Sequence, residues 1–515
     1  MFRKTAIILA LVAAGYATTA SATTFPAGSL GSSSQSAYQD PVLPGTDITA
    51  LLSVGDAAGN GYRMVGIPDG LGTYDNGDGT FTVLMNHELR AGSGAVRAHG
   101  ADGAFVSEWI VRKSDLHVLS GSDLIQNVYL GNGTGYQLTA NVSLSRFCSA
   151  DLPSVDAFYN ASSGKGTTTR FFMNGEENGP TGRAFAIAAT GAEKGNAYEF
   201  TGIGNASWEN IVARPFADDR TVVIGTDDTH PNGDAVNAKG RVTLYFGDKQ
   251  DSGTELEKAG LTNGHAYAIK VNGAALESRT ADAGLGLDST GKASFELVDD
   301  GTGTNFLRPE DVSWDTQNPD RAYFVTTDGL DSTDPTSRTS RLWRITLNDV
   351  NDPSAGGVIE LMIDGLQAGQ PQMMDNITVD ADGNVMIQED VGNADRLGKV
   401  WKFNPETRAL TEVSQHDPDR FLIGGVDFLT QDEESSGIVD VTYLFDGVDG
   451  YDVSAYRYFL LDVQAHYANT DPALVEGGQL MLMAVPVPEP SSVSLMAGVF
   501  ALTGLSIGLR RRRNR

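Results

Sequence analysis

The sequence predicts an all-β chain folded as a β-propeller, six-bladed with long inserted loops. Three observations carry this reading. First, 60 glycines and 19 prolines in 515 residues supply turns in number, while long stretches of helical periodicity are scarce. Second, short segments with two apolar side chains two residues apart recur: Tyr198-Glu199-Phe200, Leu244-Tyr245-Phe246, Tyr267-Ala268-Ile269, Trp343-Arg344-Ile345 and Trp401-Lys402-Phe403. Each is followed within a few residues by Gly, Asn, Asp or Pro, as expected of period-2 strands separated by turns. Third, hydrophobic residues make up 40% of the chain, enough to fill a substantial core. Strands repeated at irregular tens of residues fit sheets arranged radially. The spacing is too uneven to set blade boundaries, and no composition break divides residues 23–484.

The chain opens with an address. Arg3-Lys4 precedes the apolar run TAIILALVAAG, and Ala20-Ser21-Ala22 supplies small residues for cleavage. Residues 1–22 are therefore expected to be a signal peptide, with the exported chain starting near Thr23. Residues 23 to about 60 are rich in Gly, Ser and Thr and are expected to be extended.

The first hairpin signal is Asp75-Asn76-Gly77-Asp78-Gly79, followed by a strand over Thr80–Met85 that ends at Asn86-His87-Glu88. The arrangement recurs. Phe171-Phe172-Met173 runs into Asn174-Gly175 and then into the adjacent carboxylates Glu176 and Glu177. Val222–Gly225 leads to Thr226-Asp227-Asp228. Arg308-Pro309-Glu310-Asp311 precedes Val312-Ser313-Trp314, and Ala322–Val325 leads to Thr326-Thr327-Asp328-Gly329. Asp375-Asn376 opens one strand, and Val385–Ile387 closes at Gln388-Glu389-Asp390. A last acidic stretch runs from Asp432-Glu433-Glu434 to Asp440. Like charges fixed at the end of an apolar strand repel unless a cation lies between them. One such end reads simply as a solvated turn. Five or six in one propeller, whose inner strand ends converge on the axis, point to a metal centre. Hard oxygen donors in that number suit Ca²⁺. The single cysteine, Cys148, has no internal partner for a disulfide; it is a buried small residue, an intermolecular link or a metal ligand, and as a ligand it brings in a softer transition metal such as iron.

The formal charge is −29. Such an acidic body repels nucleic acid and attracts divalent cations. No G-x-S-x-G stands in a strand–turn–helix setting, which argues against a serine hydrolase. The seven histidines include no H-E-x-x-H, which argues against a zincin.

The C-terminal end reads Val487-Pro488-Glu489-Pro490, an apolar run from about Val493 to Leu509, then Arg510–Arg513 and Arg515. This order resembles a PEP-CTERM sorting signal over residues 485–515. The resemblance implies a Gram-negative bacterium with an exopolysaccharide matrix. It also implies transient membrane anchoring and removal of the tail by a dedicated membrane protease, leaving the body at the cell surface or in the matrix.

The landmarks of residues 23–484 resemble the PhoX-type alkaline phosphatases, a family of secreted bacterial six-bladed propellers. They are Leu84-Met85-Asn86-His87-Glu88, Cys148, Asn174-Gly175-Glu176-Glu177, Gly225-Thr226-Asp227-Asp228, Arg308-Pro309-Glu310-Asp311, and Asp375-Asn376 with Gln388-Glu389-Asp390, in the family's order. The resemblance implies an iron–calcium cofactor on the propeller axis that hydrolyses small phosphomonoesters. By that analogy Cys148 is an iron ligand, and Glu88, Glu176, Glu177, Asp228, Glu310, Glu389 and Asp390 supply the remaining metal ligands. Arg308 and Arg183, with Arg170 as a further candidate, take phosphate charge. Two departures mark the chain as divergent: a long segment separates Cys148 from Glu176, and the family's tryptophan before the acids is missing. The other readings are a non-catalytic calcium-binding matrix or surface propeller, and a calcium propeller acting on phytate, lactones or other esters.

Overall fold

Six blades stand around one axis in the computed structural model, which describes residues 24–487 except 29, 231–239, 300 and 329–339. The signal peptide, the Pro-Glu-Pro box with everything after it, and Gly329 lie outside the described residues. Among the described residues no helix is long and apolar enough to cross a membrane.

Each blade starts at the axis and proceeds outward through antiparallel neighbours, except that in blade two the fourth strand, Asn196–Glu199, pairs in parallel with Asn127–Gly131. The inner strands are Pro68–Asp75, Phe147–Asp151, Trp208–Ala213, Pro309–Trp314, Met374–Val379 and Glu433–Asp440, for blades one to six. They neighbour one another in that order, and the sixth returns to the first. The second strands are Thr80–His87, Phe171–Glu176, Arg220–Asp227, Arg321–Thr326, Val385–Glu389 and Tyr456–Ala465. Blades three and four join into one nine-stranded sheet because Lys292–Val298 pairs with the outer strands of both.

The start of the described chain closes the ring. Asp47–Ser53 pairs with Gly477–Pro486 as the outer strand of blade six, and Gln39–Pro41 pairs with Ala409–His416 at the edge of blade five. Strands from distant parts of the chain thereby cover two edges that would otherwise be open.

The blades are held to one another by apolar side chains alternating along each strand. Phe81, Val83 and Met85 face blade six, against Leu480 and Leu482. Leu84, one residue out of phase, faces Phe172, Phe185 and Ile187 of blade two. Six such clusters fill the six seams, one of them uniting Val222, Ile224 and Leu244 with Phe324, Trp343 and Ile345. Each large side chain so buried contributes about 1.5–3 kcal/mol. Glycine permits the closest approach: a Cβ on Gly70 would stand 2.3 Å from the backbone nitrogen of Ala150, in the next inner strand.

The aromatic segments seen in the sequence fall in third strands for Tyr245, Trp343 and Trp401, and in fourth strands for Tyr198 and Tyr267. They mark real strands at unequal positions within their blades, which is why their spacing gives no clean period.

Candidate metal centre

All six inner strands begin on the same face of the ring, and in each the second residue carries an ionisable group. These are Asp69, Cys148, Glu209, Glu310, Asp375 and Glu434. The second strand of each blade returns to that face, and the residue after its end adds another tier. In five blades this residue is Glu88, Glu177, Asp228, Asp390 and His466; in blade four it is Thr327. All eleven ionisable residues line one cavity of about 500 Å³.

The delivery depends on broken strand register. In a regular strand neighbouring side chains point to opposite faces. Here every inner strand is bulged against its partner near the ligand: between Asp69 and Leu71, opposite Asn174–Glu176, between Trp208 and Asn210, Pro309 and Val312, Met374 and Ile377, and Ser435 and Ile438. A bulge sets an extra residue against the partner strand and re-aims its side chain. Four blades add backbone strain two residues before the ligand: Ile67, Arg146, Arg308 and Met373 have φ of 52°, 49°, 57° and 52°. Left-handed backbone at non-glycine residues costs energy and clusters at functional sites.

The donors form four overlapping groups, each with its ligand atoms within 4.8 Å of one another: Asp69–Glu88–Cys148, Cys148–Glu177–Glu209, Glu209–Glu310–Asp375, and Asp375–Asp390–Glu434. Cys148, Glu209 and Asp375 each belong to two groups, so one residue serves adjacent positions. Among the described residues eleven carboxyl groups line the cavity against three arginines and one histidine, too few cations to neutralise that charge. Carboxylate oxygens with one thiol fit hard cations beside a softer metal.

The positive groups are fixed by the acids. Arg146 Nε donates to Glu88 Oε1 at 2.6 Å, and its Nη1 donates to Glu177 Oε1 at 2.7 Å. Arg308 spans both oxygens of Asp228 at 2.7 Å each and lies 2.9 Å from Glu310 Oε1. His466 Nδ1 is 2.7 Å from Glu476, and its Nε2 is 3.7 Å from Glu434. Gln464 Nε2 donates to Glu88 at 3.1 Å and to Asp69 at 3.2 Å.

Burial and mutual repulsion hold several acids in the protonated form when no cation is present. Burial, then Asp228 and Glu88, push Glu209 up to about 8. Burial and Glu434 push Asp390 up to about 7. Burial raises Asp69, Glu310 and Asp375 well above the carboxylate range; nearby acids add to the rise, and at Glu310 the Arg308 charge opposes it. Burial and the surrounding acids also raise the Cys148 thiol. Burial works against the charge on His466, but the Glu434 and Glu476 carboxylates beside it prevail and lift it to about 11.

Of the residues singled out in the sequence, Glu88, Cys148, Glu177, Asp228, Arg308, Glu310 and Asp390 line the cavity. Glu176 does not. It ends its strand facing away and is taken by Arg183, with Nε at 2.6 Å from Oε2 and Nη2 at 2.8 Å from Oε1. Arg183, a candidate phosphate contact, stays with Glu176 and does not line the cavity either. Glu389 is likewise turned away, held by Arg396 at 2.6 Å and by Trp401 Nε1 at 3.1 Å. Arg170 caps the carbonyls of Leu152 and Pro153 past the far end of the blade-two inner strand. In both acid pairs the strand alternation selects the second member.

Asp69, Glu209, Asp375, Glu434, Arg146 and His466 line the cavity without having been proposed as site residues. A signal for most of them was present. Asp69-Gly70-Leu71, Cys148-Ser149-Ala150, Glu209-Asn210-Ile211, Glu310-Asp311-Val312 and Asp375-Asn376-Ile377 share one order: ligand, small polar residue or glycine, apolar residue. Glu434 departs from it, and nothing local marks Arg146 or His466.

No family model and no curated protein sequence matches the chain. Among solved structures the fold is similar to Pseudomonas fluorescens PhoX in complex with vanadate, a transition state analogue: TM-score 0.51 and 12% identity over 88% of this chain and 98% of that one. An α-L-arabinofuranosidase from Fusarium graminearum in complex with an iminosugar inhibitor gives TM-score 0.41 and 7% identity, covering 80% and 92% of the two chains. The catalytic domain of a Coprinopsis cinerea α-L-arabinofuranosidase gives TM-score 0.31 and 10% identity, covering 84% and 95%. At 12% identity the likeness to PhoX is one of fold.

Proposed function

We propose that this chain is an exported, metal-dependent phosphoric-ester hydrolase acting on small phosphomonoesters, with its metals held on the propeller axis. The observation that carries the reading is the ring of five carboxylates and one thiol, one from each blade, sharing a cavity with Arg146 and Arg308. The proposed metals are calcium, with iron at the thiol. Asp69, Glu88, Cys148, Glu177, Glu209, Glu310, Asp375, Asp390 and Glu434 would hold them. When bound, such cations supply Lewis-acid polarisation of a phosphoryl oxygen.

The chain's own groups do the rest. Arg308 and Arg146 place guanidinium charge on the cavity wall, a geometry that suits phosphoryl oxygens. Each is already oriented by two acids, so little side-chain freedom remains to be lost when an ester enters. His466, kept charged by Glu434 and Glu476, adds a further N–H beside the acids. Depth within the ring limits water around the reacting group and strengthens each of these interactions.

The proposal extends to location. The signal peptide exports the chain, the C-terminal segment anchors it transiently, a sorting protease removes the tail, and the body stays at the surface or in an exopolysaccharide matrix. Purified protein freed of both terminal segments tests the activity. Bound iron and calcium are measured, and p-nitrophenyl phosphate hydrolysis is followed before and after chelation. Hydrolysis lost on chelation and restored by metal is expected. Metal-loaded but inactive protein contradicts the reading and leaves a binding module. Calcium without iron, with Cys148→Ala having no effect, leaves a calcium propeller acting on other esters.

A further inference from the structure

The bulges that aim one residue per blade into the upper cavity aim its successor beneath it. Ser149, Asn210, Asp311 and Asn376 follow Cys148, Glu209, Glu310 and Asp375 directly, and they line a separate cavity of about 60 Å³ on the same axis. Asp151 lines it as well, and Gly70 and Gly437 complete the circle. At roughly 30 Å³ per water, the space holds about one ion and one water. Among the described residues no lysine, arginine or histidine lines it.

Its polar groups are organised. Asp311 accepts from the backbone nitrogens of Val312 at 2.6 Å and Ile377 at 2.8 Å, and from the Asn210 amide. Asn376 donates its amide to Ser149 Oγ, which leaves Asn376 Oδ1 without a partner although the residue is only 2% exposed. An acceptor left unpaired at such depth costs about 1–3 kcal/mol. A second carboxylate, Asp151, faces the same small volume.

We propose that this lower cavity is a second cation site, binding one calcium ion through Asn376 Oδ1, Ser149 Oγ and the carboxylates of Asp311 and Asp151. The donors are all oxygen, with neither thiol nor imidazole, which selects a hard cation. Two carboxylates lining a space that no cationic side chain of the described residues lines, with Arg170 acting on Asp151 from outside it, call for a divalent one. The ion joins blades two, four and five below the upper cluster, so its role is structural. The inference rests on the lower cavity alone and stands whether or not the chain hydrolyses phosphate esters.

The test is a crystal structure of the purified metal-loaded protein, with anomalous data collected where calcium scatters strongly. A calcium peak bounded by Asn376, Ser149 and Asp311 is expected; density that refines as water with no anomalous signal overturns the proposal. In solution, Asn376→Leu removes the unpaired oxygen. Metal analysis should then find one calcium fewer per chain with iron unchanged, and the rise of Tm with added calcium should shrink. An unchanged calcium count in folded variant overturns the proposal. Should Asn376→Leu not fold, the anomalous map of the unmodified protein decides.

Discussion

Glu209→Gln separates a cavity built for cations from a group of acids that merely share protons. Glu209 belongs to two donor groups, with Cys148 and Glu177 on one side and Glu310 and Asp375 on the other. Without metal, burial and then Asp228 and Glu88 raise its pKa from 4.5 to about 8. The unfolded chain releases this proton near 4.5, whereas the folded chain keeps it until about 8. The unfolded state therefore binds fewer protons across that window, and stability falls as pH rises through it. The shift corresponds to about 5 kcal/mol from this one group. Glutamine does not titrate, so chelated Glu209→Gln should lose up to about 5 kcal/mol less than chelated wild type between pH 4.5 and 8. Bound cations reverse the ranking, because they interact with the carboxylate and remove its cost. Urea unfolding at pH 5, 6.5 and 8, with chelator and with calcium plus iron, measures both effects. Equal pH slopes for the two chelated proteins, or a wild-type slope indifferent to metal, would refute the reasoning.

Four further substitutions probe the site. Cys148→Ser should cost the protein its iron while calcium remains, as read by metal analysis; undiminished iron speaks against a thiolate ligand. Glu176→Gln and Glu177→Gln should differ in kind. The first breaks a buried pair with Arg183 and lowers stability by about 3 kcal/mol with metal content intact, whereas the second lowers metal content. Arg308→Met removes a guanidinium from the cavity and leaves Asp228 and Glu310 unpaired; KM for p-nitrophenyl phosphate should rise about tenfold to a hundredfold, as expected for a charged hydrogen bond worth about 1.5–3 kcal/mol.

The class of fold is legible in the sequence because turn residues and period-2 apolar spacing are local. Phe171-Phe172-Met173 and Val385–Ile387 are strands for reasons their own composition supplies. Blade membership is not local. Asp47–Ser53 reads as an isolated apolar stretch, yet it pairs with Gly477–Pro486, more than four hundred residues away. The second-tier acids Glu88, Glu177, Asp228 and Asp390 stand out because they follow apolar runs. The choice between Glu176 and Glu177, or Glu389 and Asp390, turns on side-chain alternation and on an arginine that claims the other member. Asp69, Glu209, Asp375 and Glu434 are less legible than Glu310 because each precedes its apolar run and a bulge overrides the regular alternation of the strand. Arg146 and His466 become meaningful only when the ring brings Glu88, Glu177 and Glu434 to them.

If side chains from all six blades converge to hold metal ions, the number of ions retained per folded chain after equilibration with calcium and iron and removal of free metal reports it most directly. More than one tightly held ion is expected in the wild type and fewer in Glu209→Gln. A folded, monodisperse wild-type protein that retains none would contradict it.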